Sequence, residues 1–382
     1  MACQRINSLD SIRGLAILGI LLLNISGFAL PSAAYLNPTY NGSASLTDLI
    51  VWSVLSVFVQ GKFLCILAFL FGAALELLLP RGKIWNYPRL TILALIGMGH
   101  GILLWDGDIL LSYSLAGFFS FQLISQNSAS NRLFMKGAIF YLIGLVLLFI
   151  LGFFSSGESN NVSWQSTEFQ MLYETYWKTS GGWLAAKERF NQIMLMMVML
   201  FVQYGWQLIG IMSCGAGLMR NGWLKGEFSV SHYRNVALVL IPLSIAVQIF
   251  SVVFQYTHNW DYFWSGIVGY ILAELVTPFQ ALGYMALIYG FWPVISCWRI
   301  NYWLNQVGRM AMSNYLLQTL ICTLLFYNLG FFGQFSRLEL LAFILPIWAV
   351  NILFSCWWLR CHPQGPVEQR WRDITAVLAR SA

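Results

Sequence analysis

The sequence has few charged residues for its length. Only 9% of its 382 residues are Asp, Glu, Lys or Arg, whereas 58% are hydrophobic. A chain with so few polar residues cannot cover a water-exposed fold, so the composition excludes a soluble globular protein. The long apolar runs instead indicate a polytopic membrane protein whose solvent is lipid.

Several patterns typical of enzymes and metalloproteins are also missing. None of the seven cysteines is spaced with histidine as in a zinc site, so neither a disulfide framework nor a metal site is predicted. The chain has no phosphate-cradling glycine loop, nucleophile elbow or HExxH motif. The net charge of +6 comes from Lys and Arg scattered singly between apolar runs, which argues against a nucleic-acid partner.

Ten hydrophobic runs are long enough to cross a bilayer, since a helical span needs about 20 apolar residues. Their approximate bounds are 13–30, 49–79, 89–105, 108–125, 136–154, 191–219, 236–256, 265–291, 307–330 and 340–360. We therefore predict an all-α, polytopic membrane helix bundle of about ten transmembrane helices. The run 49–79 is too long for one straight span and contains Gln60-Gly61-Lys62, which predicts a broken helix.

The positive charges indicate how this bundle is oriented. Of the 21 Lys and Arg, Lys62 lies within a run, four fall on one side of the predicted membrane and the other 16 on the opposite side. The side with more positive charge is the cytoplasmic one, so both termini are predicted to be cytoplasmic. We expect one transmembrane domain over 1–365, with an external helical loop at about 155–190, and a cytoplasmic tail at 366–382.

Three ionisable residues lie close together in an otherwise apolar stretch. His100 falls in the third run, and Asp106 and Asp108 fall in the turn before the fourth. The two aspartates have two possible roles. They could cap the fourth helix, since a carboxylate at a helix start stabilises the helix by about 0.5–2 kcal/mol, or they could belong to a functional site. A buried imidazole needs a hydrogen-bond partner or a water molecule, whether His100 is a core residue or a functional one. The neighbouring glycines leave room for another helix or a ligand to approach it.

We predict that these three residues line a polar cavity in the outer half of the bundle. A helix rises about 1.5 Å per residue, which would place Asp106 roughly 9 Å along the axis from His100 if the helix continued that far. Another helix or water must then meet the histidine. We expect the first two spans to supply the polar residues that meet His100, namely Asn24 and Lys62.

Lys62 is an ionisable residue at bilayer depth, where a lysine costs about 2.5–3.5 kcal/mol. It either pairs with an acidic residue or extends its stem to the membrane interface. Glu274 lies within an apolar run near Pro278 and is a candidate partner, as are the two aspartates. We treat Lys62 and Glu274 as candidate substrate-binding residues.

Two further groups of polar residues lie near the cytoplasmic ends of spans. Arg13 and Arg309 each stand where a span begins, and they either anchor the chain at the headgroups or form an anion site. Asn314, Tyr315 and Gln318 form a polar stripe at helical spacing, which faces protein or a ligand rather than acyl chains. We predict an anion site at the arginines and substrate binding along the stripe.

Four stretches resemble the YeiB family of bacterial inner-membrane proteins. They are LDSIRGLAILGILLLNISGF, LFG near position 70, GHGILLWDGDILLSY and GRMAMSNYLLQTLI, and the resemblance runs along essentially the whole chain. It implies a multi-pass protein of the bacterial inner membrane. A transport role has been suggested for such proteins.

The LDxxRGxA opening also resembles a wider superfamily of transmembrane acyltransferases, which includes polysaccharide O-acyltransferases and the lysosomal heparan-α-glucosaminide N-acetyltransferase. That resemblance implies acyl-CoA or acetyl-CoA as a cytoplasmic donor and an acceptor on the far side. The polysaccharide enzymes carry a functional histidine eleven residues after the motif arginine, where this chain has Asn24. The lysosomal enzyme has its histidine in the next loop, where this chain offers Asn37. His100 is the intramembrane histidine left to take that role.

Three functions are consistent with these residues. An integral-membrane acyltransferase would use His100 as general base, an aspartate to orient it, and Arg13 with Arg309 to hold the CoA phosphates. A small-solute or proton-coupled transporter would use Lys62, Glu274 and His100 in a relay. A non-catalytic relative would bind membrane lipid, a quinone or a partner. The acceptor substrate and the oligomeric state, a homodimer included, stay open.

Overall fold

A computed structural model describes residues 6–155 and 164–381 and confirms the predicted all-α class, since every regular element in those residues is helical. The first eight helices are α1 (Asn7–Ala29), α2 (Leu46–Phe58), α3 (Lys62–Leu78), α4 (Gly82–Leu103), α5 (Leu110–Gln126), α6 (Ser130–Ser155), α7 (Glu168–Ser180) and α8 (Gly182–Met199). The next eight are α9 (Gly205–Arg220), α10 (Val230–Thr257), α11 (Tyr270–Gly290), α12 (Trp292–Ile295), α13 (Arg299–Arg309), α14 (Ala311–Thr323), α15 (Arg337–Trp358) and α16 (Pro366–Ser381).

Length and composition identify seven helical stretches of the described residues that could cross a membrane. A bent pair, Arg299–Arg309 with Ala311–Asn328, would be an eighth. The stretch Leu46–Leu103 has 58 residues and would measure about 87 Å if straight, nearly three times the hydrocarbon core. It therefore holds more than one of the predicted spans. The count of ten and the cytoplasmic location of both termini remain predictions.

The predicted break within the run 49–79 is present. α2 ends at Phe58 and α3 begins at Lys62, with Gly61 between them at φ 77°. That left-handed conformation is readily adopted only by glycine, so the helix is interrupted at this residue. Lys62 consequently starts a new helix inside the bundle.

α1 lies at the centre of the bundle. In its most apolar segment 78% of the residues are buried, against 22–44% in the other six long stretches. It packs against α3, α13, α14 and α15. A helix that is apolar on every side is stable when other helices enclose it, which explains why the amino-terminal run is hydrophobic all round.

Glycine permits the close crossing of α3 and α9. A methyl group at Gly72 would overlap the carbonyl oxygen of Met212, and one at Gly215 would overlap that of Phe69. Both helices therefore contribute a glycine to one contact between their backbones. Small residues of this kind are typical of interfaces between membrane helices.

We expect Gly72→Ala to lower the melting temperature of the detergent-solubilised protein. The atom it meets is backbone and cannot rotate aside, and overpacking of this kind costs about 1–3 kcal/mol. Gly99→Ala is the matched control, because Gly99 also lies inside a helix but a methyl there meets nothing within 4 Å. An unchanged melting temperature in Gly72→Ala would mean that the crossing relaxes freely.

A sharp bend and the carboxy-terminal helix build one side of the bundle. α13 and the helix that starts at Ala311 meet at 88°. α16 packs against α4 and α14, and the Trp371 indole N–H donates to the carbonyl oxygen of Arg89 at 2.8 Å. The Arg89 guanidinium lies 4.2 Å from the Trp371 ring. Residues predicted as a tail thus form a helix docked on the bundle.

The hydrophilic segment predicted as an external helical loop (155–190) contains α7 and the first half of α8; its residues 156–163 lie outside the described residues. Lys178 of α7 is buried and pairs with Glu174 at 2.8 Å. Glu174 also accepts hydrogen bonds from the backbone N–H and the hydroxyl of Ser32, at 3.0 and 2.5 Å. These contacts join α7 to the segment that follows α1.

This junction should weaken at low pH. Burial alone would raise the pKa of Glu174, but Lys178 and the donors of Ser32 outweigh it and hold the pKa below its usual range. A carboxyl with a depressed folded-state pKa stabilises the fold above its unfolded pKa of about 4.3, and that contribution is lost as the pH falls through the folded pKa. The difference in melting temperature between wild type and Glu174→Gln should therefore hold from pH 7 down to about 4.3 and shrink as the pH falls below that value. A constant difference would contradict the assignment.

Candidate functional site

His100 is held between a carboxylate and a hydroxyl. It lies near the end of α4, and its Nδ1 is 2.7 Å from Oδ1 of Asp108. Its Nε2 is 3.0 Å from Oγ1 of Thr319 on α14. The side chains of His100 and Asp108 are 2% and 0% exposed. The imidazole therefore has a partner at each ring nitrogen and no contact with bulk solvent.

The expected partners of His100 were partly wrong. α4 ends at Leu103, and the turn that follows brings Asp108 back to the histidine, so the distance calculated for a continuous helix does not apply. The neighbouring helix that meets His100 is α14, not the first two spans. Asn24 of α1 instead accepts a hydrogen bond from the Tyr35 hydroxyl at 3.5 Å.

Asp106 and Asp108 have separate surroundings although they share one turn. Asp106 lies in electrostatic range of Lys178 and Arg189, on the side of α7 and α8. Asp108 uses one oxygen for His100 and the other to accept the backbone N–H of Leu111 at 2.8 Å. One oxygen of Asp108 therefore accepts a capping hydrogen bond and the other contacts His100, so the capping role does not exclude the predicted functional one.

The Thr319 hydroxyl can satisfy both protonation states of His100. An ionised Asp108 only accepts, so Nδ1 carries a proton in either state. With a neutral imidazole, Nε2 accepts from the Thr319 hydroxyl. With an imidazolium, Nε2 donates to Thr319, whose own proton turns to the carbonyl oxygen of Tyr315, 3.3 Å away. The imidazole can thus gain or lose a proton without leaving a buried group unpaired.

A cavity of about 520 Å³ opens on the side of the bundle built by α16 and the bend after α13. Its lining includes Arg13, Arg81, Arg89, Arg309 and Arg372. We call it the arginine cavity. Glu368 is the one acidic residue in its lining, and its carboxylate already accepts from the backbone N–H groups of Met312 and Ser313 at 2.8 and 3.0 Å. Five positive charges against one negative charge leave a formal excess of +4.

The arginine cavity extends inward to the neighbourhood of His100. Beyond the arginines its walls are apolar, with Ile17 of α1, Leu67 of α3 and Leu93 of α4. Tyr315 lines its inner end, and the centroid of the Tyr315 ring is 5.3 Å from that of His100. One aromatic ring therefore separates the cavity from the buried imidazole.

Arg13 and Arg309, predicted to form an anion site, line this one cavity. Arg13 also pairs with Asp10 at 3.0 Å, and Arg309 donates to the carbonyl oxygen of Pro363 at 3.1 Å. The other three arginines were missed as site residues. These three arginines are scattered singly along the sequence, and nothing in their spacing indicates that α4 and α16 bring them together.

Most of the predicted polar stripe has a structural role. Asn314 donates from Nδ2 to the Ser355 hydroxyl at 2.8 Å, and Gln318 donates to a backbone carbonyl of α1 at 3.2 Å. Asn37, in the loop after α1, donates to the carbonyl oxygen of Trp164 at 2.8 Å. These amides tie segments together, and Tyr315 is the stripe residue that lines the arginine cavity.

Lys62 and Glu274 line a second, small cavity of about 20 Å³, which we call the polar cavity. The Lys62 side chain does not reach the interface, because the residue is 1% exposed and its Nζ donates to the backbone oxygen of Ser56 at 2.6 Å. Glu274 accepts from the Tyr141 hydroxyl at 3.2 Å. The lining also includes the amides and hydroxyls of Gln60, Gln248, Ser251, Gln255 and Thr277. The predicted partners therefore share a cavity, and each is hydrogen-bonded to another group.

Comparison with known proteins supports the resemblance seen in the sequence. The YeiB protein of Escherichia coli strain K12 is 48% identical over 379 residues, which cover 99% of this chain and 98% of that protein. This chain belongs to the YeiB family. The protein YxaH of Bacillus subtilis strain 168 is 27% identical over 400 residues, which cover 97% of this chain and 94% of that protein.

A family described as "Protein of unknown function (DUF418)" matches residues 218–377. That part of the YeiB-family chain contains the bend after α13, Tyr315, Thr319 and most of α16. The match therefore includes ten of the 24 residues that line the arginine cavity, and it includes the hydroxyl partner of His100. Together with the long apolar helices, the relationship identifies an integral membrane protein.

Proposed function

We propose that the protein is an integral-membrane acyltransferase, which moves an acyl group from cytoplasmic acyl-CoA to an acceptor at or across the membrane. The observation that carries the proposal is that Tyr315, which lines the arginine cavity, packs against the ring of His100, so that one side chain of the cavity wall contacts the buried pair of His100 and Asp108. An acyl-CoA needs cations at one end for its phosphates and a base at the other end for its thioester.

The arginines suit the phosphates of CoA. A guanidinium binds phosphate through two parallel N–H groups and keeps its charge at any physiological pH. The charges of Arg13 and Arg81 act on Arg89 across the cavity, so the cluster repels itself and an anion would relieve that repulsion. The apolar walls suit the pantetheine arm and a short acyl chain, which bury apolar surface.

His100 would act as the general base. As the acceptor hydroxyl or amine attacks the thioester carbonyl, Nε2 takes its proton, the carbon–sulfur bond breaks, and the proton passes to the departing CoA thiolate. Asp108 keeps the proton on Nδ1 and stabilises the imidazolium without being protonated itself. This role requires the acceptor to take the place that Thr319 occupies beside Nε2.

A small-solute or proton-coupled transporter is the second candidate, and the polar cavity is the observation that favours it. Ionisable residues at bilayer depth that face a cavity are typical of proton and ion pathways. Lys62 and Glu274 meet that description, with amides and hydroxyls around them. A non-catalytic relative that holds a lipid phosphate in the arginine cavity is a further alternative, because lipid and CoA share that chemistry.

The acyltransferase proposal is tested by ligand-dependent thermal stability of the purified protein. Acetyl-CoA should raise the melting temperature saturably, since a ligand at 100 times its Kd adds about 2.7 kcal/mol of stability. A shift with phosphatidylglycerol and none with acetyl-CoA would favour lipid binding. If neither ligand changed the melting temperature and the Lys62→Met variant failed to complement a deletion strain, transport would be favoured.

A further inference from the structure

Thr319 completes a triad with Asp108 and His100. The distances are 2.7 Å from Asp108 Oδ1 to Nδ1 and 3.0 Å from Nε2 to Thr319 Oγ1, and both lie within the range of activated nucleophiles. Thr319 is 1% exposed. The three residues come from α4, from the turn after it and from α14, so local helix geometry does not force them together.

Thr323 shows what an ordinary buried threonine does on the same helix. Its hydroxyl donates to the carbonyl oxygen of Thr319 at 2.8 Å, and its other hydrogen bond is also to a backbone carbonyl. Threonines inside membrane helices commonly bond in this way to the preceding turn. Thr319 has the same backbone option at 3.3 Å but also lies beside the imidazole. That second contact distinguishes the two residues.

Thr319 also lies between the two predicted routes of access. It follows Tyr315, at the inner end of the arginine cavity, by one turn of α14. On the other side, the end of α4 and the turn with Asp106 approach α7 and α8, which the charge distribution places outside. A group attached to Thr319 would therefore lie between a donor site on the cytoplasmic side and an acceptor site on the outer side.

We infer that Thr319 is the nucleophile of a two-step transfer and carries the acyl group as an ester. The inference rests on the proposed acyltransferase function and replaces direct attack by the acceptor on the thioester. If the acceptor attacked the thioester directly, it would have to displace the Thr319 hydroxyl from Nε2 of His100. In the two-step transfer that hydroxyl takes part in the reaction. The Tyr315 ring must turn aside for the thioester to reach Oγ1.

In the first step Thr319 Oγ1 attacks the thioester carbonyl while its proton moves to Nε2 of His100. The carbon–sulfur bond breaks, and the CoA thiolate leaves with that proton as a thiol. In the second step the acceptor hydroxyl or amine attacks the Thr319 ester and gives its proton to Nε2. The carbon–oxygen bond breaks, and Thr319 takes the proton back. Donor and acceptor thus use one imidazole in turn, without meeting.

The test is isotope exchange in the absence of any acceptor. The purified full-length protein is incubated with acetyl-CoA and isotopically labelled CoA. An acyl-enzyme intermediate returns label to acetyl-CoA, whereas direct transfer to an acceptor cannot. We expect exchange in wild type and in Thr319→Ser, and at least about 100-fold less in Thr319→Val. Thr323→Val is the matched control and should exchange like wild type.

Two further measurements separate the outcomes. Acetyl-CoA should still stabilise Thr319→Val, which shows an intact donor site, and acid-quenched wild type should carry the acyl ester on Thr319 in peptide mass spectra. Exchange by Thr319→Val at the wild-type rate, or an ester on another residue, would overturn the inference. The inference would also be overturned if the protein released CoA from acetyl-CoA in the presence of envelope extract but showed no isotope exchange. That result would leave the acyltransferase proposal intact. If the protein showed neither isotope exchange, nor CoA release, nor stabilisation by acetyl-CoA, both proposals would be overturned.

Discussion

Replacing His100 by alanine should abolish acyl transfer. The imidazole is the base within reach of Thr319, and positioned general bases contribute about 100- to 10,000-fold to rates. The measurement is release of free CoA from acetyl-CoA by purified protein supplied with bacterial envelope extract. Activity is normalised to folded protein, because alanine also leaves Asp108 and Thr319 without their buried partner.

Asp108→Asn isolates the electrostatic part of this effect. Asparagine caps helices about as well as aspartate, so the hydrogen bond from the Leu111 N–H can be kept while the charge that stabilises the imidazolium is lost. We expect a large loss of activity with a nearly unchanged melting temperature. Asp106→Asn is the matched control in the same turn. Asp108, not Asp106, is the hydrogen-bond partner of His100, so this variant should keep the exchange between acetyl-CoA and labelled CoA, which needs no acceptor.

Full activity in His100→Ala would refute the catalytic role of the histidine. A loss that merely follows reduced abundance in the membrane would assign His100, Asp108 and Thr319 a role in packing only. Complementation of a deletion strain at matched expression gives a second measurement that needs no knowledge of the acceptor.

Replacing Arg13 and Arg309 together by alanine should weaken acetyl-CoA binding by at least about 100-fold. Each charge-assisted hydrogen bond contributes about 1.5–3 kcal/mol, and both arginines line the arginine cavity. The affinity of wild type should also fall as salt is added, because part of the attraction is long-range. Binding is measured by titration calorimetry or by the ligand-dependent melting temperature.

Two controls separate phosphate binding from membrane anchoring. The double lysine variant keeps both charges and the topology but loses the bidentate geometry, so it should bind acetyl-CoA more weakly than wild type and insert normally. On α16, Arg372 lines the cavity and Arg380 does not, so Arg372→Ala should weaken binding while Arg380→Ala should not. Unchanged affinity in the double alanine variant would leave these arginines as anchors.

Polar residues within apolar runs predict contacts between helices better than they predict contacts with a ligand. An asparagine or glutamine inside an apolar run indicates a helix face that meets protein, and Asn314 and Gln318 do meet neighbouring helices. The pattern cannot distinguish a hydrogen bond between helices from a ligand contact, since both satisfy the same amide. Tyr315 lies on the same stripe, and only the packing of α14 against α1, α15 and α16 makes it part of a cavity wall.

The sequence by itself determined that the chain is an all-α membrane protein, because apolar composition and run length depend on residues close together in the chain. It also located His100, Asp108, Arg13 and Arg309. The tertiary structure alone decided which groups meet: Thr319 is 219 residues from His100, and a threonine in an apolar helix carries no signal of a distant partner. The arginine cavity depends in the same way on long-range packing, which brings separate helix ends together.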